Sequence, residues 1–189
     1  MEDNDNIKSS FKLRLENRVD INLKPGELYI AKKPMIIKTL LGSCVSVVMH
    51  NKRTKVSAIS HAQLPGKKEC SQCSSHCPVR CLKDSDDDNS FKYVISSTKY
   101  MLNKLENMGI ERNEIDIKLF GGSNVMKALT RDKTVGESNI EQAHQTLKNL
   151  NLKIKGEDTG GDTGRTIYLV SNTGEVYARK HTKVNNSLN

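Results

Sequence analysis

The chain has 189 residues, 35% of them hydrophobic and only 4% aromatic, with no Trp, which suits one domain with a core of Ile, Leu and Val. No apolar run approaches the roughly 20 residues that a membrane-spanning helix needs, and charges occupy the place where a secretion signal would carry its apolar stretch, so a cytoplasmic protein without membrane insertion is expected. The net charge of +8 favours acidic partners, but no helix-turn-helix, zinc-finger spacing or aromatic-basic strand pattern selects nucleic acid, and a solvated lysine-rich surface accounts for the charge.

Residues 1–24 are polar and alternate in charge, which reads as an N-terminal extension or a loosely docked first strand. The domain proper is expected over 25–182, with a tail at 183–189. Residues 28–31 and 35–38 read as short strands separated by Lys32-Lys33-Pro34. Residues 44–49 and 56–61 are two apolar, β-branched runs around a polar connection, which is a hairpin signal. From 67 to 89 the chain is polar, cysteine-rich and then acidic, as an insertion between core elements would be. Phe91, Val94, Ile95, Met101, Leu102, Leu105 and Met108 recur at helical spacing, and Gly109 offers a stop.

Residues 115–120 alternate as a half-buried strand and run into Gly121-Gly122. The pattern Ser138-x-x-Glu141 matches a capping box, so a second helix is expected to start there. Residues 152–154, 166–170 and 175–178 read as three final strands, with glycine turns at 160–164 and 172–174. Strands, helix, strand, helix, strands imply an α+β fold, with mixed β-sheets packed in layers and helices on an outer face.

Within the hairpin, if His50 and Lys55 close the loop, Cys44 lies directly opposite His61. Opposed residues share a face, with Cβ atoms about 4.5–5.5 Å apart. The pair has chemical meaning because a thiolate is a strong nucleophile and an adjacent imidazole can take its proton. The same imidazolium can later protonate a leaving amine or ammonia. Gly42-Ser43 permits close backbone approach, so main-chain N–H groups there could hold an oxyanion. A third group must orient the histidine, and the Thr39 hydroxyl is a candidate. A lone cysteine in an apolar strand is more often an inert buried residue, so spacing alone does not decide.

More specific is the stretch Thr39-Leu-Leu-Gly-Ser-Cys44-Val-Ser-Val followed by His61-Ala-Gln-Leu-Pro65, which resembles the signature of the CheD family, the chemoreceptor glutamine deamidases. The resemblance continues through Phe120-Gly-Gly-Ser-Asn124, Gly136-Glu-Ser-Asn139, Asp158-Thr-Gly-Gly-Asp-Thr-Gly-Arg165 and Thr173-Gly174-Glu-Val, covering about residues 25–182. It implies Cys44 as nucleophile, His61 as general base and Thr39 as third catalytic residue. The implied reaction is hydrolysis of glutamine side chains on methyl-accepting chemotaxis receptors, with no cofactor for catalysis. The implied fold is that of toxin-type cysteine glutamine deamidases. A CheC-type phosphatase is a further implied partner, and an adaptor role with little catalysis is the alternative function. Gly121 and Gly122 are expected to supply turn geometry or, less simply, to lie beside the substrate.

Four of the five cysteines fall outside that pattern, as Cys70-x2-Cys73-x3-Cys77-x3-Cys81. Four thiolates could enclose a structural Zn²⁺ or hold an iron–sulfur cluster, with His76 available in place of one ligand. A reduced, exposed loop is the bland alternative.

Overall fold

The structure is a computed structural model and describes residues 18–66, 90–124 and 133–182. In chain order its elements are β1 (Ile21–Asn22), β2 (Leu28–Ala31), β3 (Ile36–Leu41), β4 (Val45–Asn51), β5 (Val56–Ser60), α1 (Val94–Glu106), β6 (Ile115–Gly121), α2 (Val135–Asn149), β7 (Ile154–Thr159), β8 (Arg165–Val170) and β9 (Glu175–Lys180). Two single 3₁₀ turns, Ser90–Lys92 and Arg112–Glu114, lead into α1 and β6. The strands form a five-stranded sheet, β2-β5-β4-β6-β7, and a four-stranded sheet, β1-β3-β8-β9. Most pairs are antiparallel, while β1–β3 and β6–β7 are parallel. This is the expected α+β class.

Three layers follow from which face each strand buries. All seven residues of β4 are buried. That is the signature of a central strand covered on both sides, and it explains why Val45–Asn51 lacks a polar alternation. Val45, Val47 and Met49 pack with Val94, Met101, Leu105, Ala143 and Leu147 of the helices. Val48 and Ile59 point the other way, into a second core with Ile37, Leu41, Ile167 and Leu169 of the smaller sheet. By strand alternation Cys44 and Ser46 share the side of Val48, and His61 shares that of Ile59. The space between the sheets is therefore where thiol and imidazole project.

Four expectations about local structure change. The hairpin register is shifted by two residues: Asn51 pairs with Val56, His50 with Ser57 and Val48 with Ile59. Asn51 Oδ1 accepts from both the N–H and the hydroxyl of Thr54, at 2.9 and 2.8 Å, and Lys55 adopts φ +58°. This side-chain-closed turn spans residues 52–55, one position later than the expected 51–54, so the four-residue loop keeps its length and moves along the chain. A slip of two preserves the faces, but Cys44 is no longer directly opposite His61.

The second helix begins earlier than expected. Thr134 is its N-cap, and its side chain accepts from the Glu137 N–H while Glu137 reaches back. Both boxes exist in the sequence. The earlier one wins because Gly136 must be helical and packed: a Cβ there would lie 2.6 Å from the Gly122 carbonyl oxygen. Residues 154–159, not 152–154, form β7, because pairing with β6 draws the Gly156-Glu157-Asp158 segment into the sheet. At the N-terminal side, Ile21–Asn22 pairs with β3 and Leu23 is buried, so the layered domain reaches four residues further than residue 25.

Candidate functional site

His61 sits one residue past β5, with its backbone fastened to the turn before β2. Its N–H donates to Glu27 O at 2.9 Å, and its carbonyl accepts from Gly26 at 2.8 Å. The imidazole is 2% exposed and reaches across the inter-sheet layer to β3, where Nδ1 lies 2.7 Å from Thr39 Oγ1. Thr39 Oγ1 in turn donates to the Leu23 carbonyl at 2.9 Å. The hydroxyl has one proton and gives it to a group that can only accept, so the His61–Thr39 bond must use a proton on Nδ1. This fixes the tautomer: Nε2 carries the bare lone pair. That atom is buried and has no hydrogen-bond partner.

Cys44 precedes β4 and is partly exposed, packed against the inter-sheet core. The strands on either side are tied by a reciprocal pair, Val45 N–H to Ala62 O and Ala62 N–H to Val45 O, both 2.9 Å. Cys44 and His61 therefore flank one hydrogen-bonded rung, one residue away on each strand. Since Nε2 is unpartnered, the resting thiol is not hydrogen-bonded to it. Among the described residues the Ser43 N–H donates to no carbonyl or side-chain acceptor, and the Cys44 N–H is directed at its own sulfur.

Gly121 and Gly122 lie under Cys44. Gly121 has φ +100°, and a Cβ there would fall 2.2 Å from the Cys44 carbonyl oxygen. The Gly122 N–H donates to that same oxygen at 2.7 Å, and the Ser123 N–H to Gly42 O at 2.8 Å. The Gly122 donor is thus committed to holding Cys44 from below, which removes it from the set of oxyanion donors. The loop containing these residues is pinned by Arg165, 1% exposed, which meets Ser123 Oγ at 3.1 Å and the Asp158 carboxylate at 2.6 Å.

Electrostatics keep both reactive groups neutral at rest. Burial pushes the Cys44 thiol up, partly offset by its own backbone N–H. Burial pushes His61 down, against smaller opposing effects of the Leu23 backbone and the Glu27 charge. The thiol and the imidazole thus both favour the neutral form, with the Nε2 lone pair buried and unpartnered. They are not a preformed ion pair.

Two contributors were not singled out from the sequence. Leu23 lies in the supposed extension, and only tertiary packing brings its carbonyl to Thr39. Asn139 is fully buried on α2 and donates through Nδ2 to Ser43 O and Gln63 O, each at 2.9 Å. Its motif, Gly136-Glu-Ser-Asn139, was visible, but no local signal gave it a role. Cys70, Cys73, Cys77 and Cys81 lie outside the described residues. Among the described residues no group of three or more His, Cys, Asp or Glu side chains could hold a metal ion, and no helix is long and apolar enough to cross a membrane.

Comparison with known proteins points to the same family. A family model described as CheD chemotactic sensory transduction matches residues 78–180, just over half the chain. The probable chemoreceptor glutamine deamidase CheD of Methanococcus vannielii is 32% identical over 166 residues, spanning 88% of this chain and 98% of the relative. The probable chemoreceptor glutamine deamidase CheD 2 of Geobacter sulfurreducens is 36% identical over 160 residues, 85% of this chain and 89% of its own. That of Pyrococcus abyssi is 32% identical over 163 residues, 85% and 91% of the two chains. The family model begins beyond His61, whereas a match spanning 88% of this chain necessarily runs across Thr39, Cys44 and His61.

Proposed function

This chain belongs to the CheD family, and on that premise we propose that it is a cytoplasmic enzyme that deamidates glutamine side chains of chemotaxis receptors, with Cys44 as nucleophile and His61 as base. The observation that carries the reading is the fixed tautomer of His61, whose lone pair on Nε2 is buried and unpartnered one residue from the rung that holds Cys44. As the sulfur attacks the carboxamide carbon, its proton passes to Nε2. The carbonyl oxygen becomes an oxyanion beside the backbone N–H groups of Ser43 and Cys44. Collapse breaks the C–N bond, Nε2 returns its proton to the leaving ammonia, and a thioester remains. Water then attacks the thioester, giving a proton to Nε2. The C–S bond breaks, the sulfur recovers that proton, and glutamate leaves.

Thr39 holds the ring in the reactive tautomer and accepts more strongly as the imidazolium forms. Mass spectrometry of a receptor cytoplasmic fragment tests the assignment. The wild-type protein is expected to convert particular glutamines to glutamates, and Cys44→Ala to be slower by at least about 10³-fold. Equal conversion by the two proteins overturns the enzyme reading and leaves the adaptor role, with receptors or a CheC-type phosphatase as partners.

For Cys70, Cys73, Cys77 and Cys81 we propose a structural Zn²⁺, supported by four cysteines within twelve residues of sequence. Elemental analysis of protein purified without chelator is expected to give one zinc per chain. Iron with a visible absorption band, or folded metal-free protein, overturns it.

A further inference from the structure

The Gly136-Glu-Ser-Asn139 motif has no part in the mechanism above, yet its two ends meet the backbone on both sides of the reacting pair. The hairpin of β4 and β5 is closed at its open end by the Val45–Ala62 rung. Beyond that rung the strands part. Residues 63 and 64 turn away to donate to Lys92 O, while the Gly42 carbonyl accepts from Ser123. The carbonyls of Ser43 and Gln63 are left facing a gap in which no strand N–H can reach them. Asn139 fills it, with one amide nitrogen giving a proton to each carbonyl at 2.9 Å.

Two features mark this as a built contact. First, Asn139 is fully buried and its Oδ1 has no partner. An orphaned buried acceptor is costly, and an apolar residue would fill the space without that cost. Both facing groups are carbonyls, so the amide cannot be flipped to satisfy Oδ1 instead. The residue is therefore held for its two donors. Second, the helix is brought close enough only because Gly136, one turn earlier, has no side chain: a Cβ would lie 2.6 Å from Gly122 O and 3.0 Å from Ser123 O. Gly122 is the residue whose N–H supports the Cys44 carbonyl. One turn of α2 thus docks on the loop beneath the nucleophile and on the splay between nucleophile and base.

We propose that Asn139 is a positioning residue that sets the separation of Cys44 from His61, by clamping the peptide before the thiol to the peptide two residues after the imidazole. The inference rests on the Cys-His reading above. Without the amide, the two chains beyond the Val45–Ala62 rung are free to spread, and proton transfer from sulfur to Nε2 slows while the substrate surface stays intact.

Asn139→Asp is the sharpest probe, because it keeps the shape and replaces two donors with an acceptor that repels both carbonyls. A misplacement near 1 Å costs on the order of 10²-fold. So kcat for receptor-fragment glutamines is expected to fall by about that factor, with KM within about twofold. The ratio of variant to wild-type kcat should climb as pH is lowered, since a carboxyl buried against carbonyls protonates readily and regains one donor. Alkylation of Cys44 by iodoacetamide at neutral pH, resolved by peptide mass spectrometry, should slow in parallel. Thr146→Val, a buried site two turns along the same helix, controls for loss of helix packing.

If Asn139→Asp and Thr146→Val lower the melting temperature alike, and kcat and Cys44 alkylation per folded molecule are unchanged, the clamp is wrong. A raised KM with unchanged kcat also overturns it, by moving Asn139 to substrate binding. The alkylation arm needs no substrate, so it judges the clamp even if the wild-type protein deamidates nothing, and that result would count against the proposed function alone.

Discussion

Two buried histidines in this molecule are wired alike and differ in what they can do. His61 uses Nδ1 to meet Thr39 Oγ1 at 2.7 Å, and that hydroxyl donates to the Leu23 carbonyl. His50 uses Nδ1 to meet Ser57 Oγ at 2.9 Å, and that hydroxyl donates to the Ser171 carbonyl at 2.6 Å. Each ring is nearly inaccessible, and burial lowers the pKa of each. The difference lies around the rest of the ring. His50 is enclosed at the far end of β4, where a Cβ on Gly174 would come within 2.4 Å of the ring, and no cysteine of the described residues is near. His61 leaves Nε2 free at the end of the hairpin that carries Cys44. An imidazole–hydroxyl–carbonyl relay fixes a tautomer. Whether the tautomer is useful depends on the neighbour of the other nitrogen.

Removing each ring should break the comparison most sharply. His61→Ala is expected to lower kcat for receptor glutamines by roughly 10²–10⁴-fold, the range for loss of a general base, with a melting temperature close to wild type. His50→Ala should do the reverse. It strands a buried serine network and leaves a cavity, costing about 1–3 kcal/mol of stability, while activity per folded molecule stays within about twofold. Paired thermal denaturation and kinetics decide it. A large activity loss in His50→Ala would mean that the two relays are coupled through β4.

A smaller, parallel contrast comes from the hydroxyls. Thr39→Val preserves shape and removes the partner that holds His61 in its tautomer. A lost buried hydrogen bond of about 1–3 kcal/mol corresponds to a kcat reduction of roughly 5- to 150-fold. Ser57→Ala removes the equivalent hydroxyl from His50 and should lower stability by about 1 kcal/mol with kcat unchanged. If Thr39→Val changes only stability, Thr39 belongs to the structural class and His61 is oriented by the Leu23 carbonyl alone.

Neither relay could be told from the other in the sequence. Each histidine adjoins an apolar strand, and the two hydroxyls lie 22 and 7 residues away, on β3 and β5. The strands themselves were legible from their β-branched runs, and α1 from its three-and-four spacing with Gly109 at φ +74°. Register and helix start were not. The first turned on Asn51 Oδ1 capturing Thr54, and the second on Gly136 fitting against Gly122, a contact between residues 14 apart in sequence. The proposed trio of Cys44, His61 and Thr39 came from ordered motifs and not from geometry. The register that first suggested the pairing was off by two, though the slip kept both groups on the inter-sheet face. Leu23 and Asn139 were illegible because their roles belong to carbonyl and amide groups that acquire meaning only once the layers are packed.

The subtlest difference is in pH dependence. Both histidines have folded pKa values below the ordinary 6.5, so the unfolded chain binds protons first as pH falls. Each ring therefore contributes stability that is complete above about pH 6.5 and is lost as pH drops through that value toward the folded pKa. The melting temperature of the wild-type protein should decline from pH 7 to 5, and His50→Asn and His61→Asn should each flatten part of that slope. Stability thus treats the two rings as equals. Activity does not: the acid limb of kcat/KM follows the free-enzyme protonation of His61, should lie below 6.5, and should be unmoved by His50→Asn. Measuring both profiles on the same three proteins separates the shared effect of burial from the role proposed for His61 Nε2 alone. An acid limb that shifts in His50→Asn would show that the field at β4, with Asp116 and Lys118 beside His50, reaches the other end of the strand.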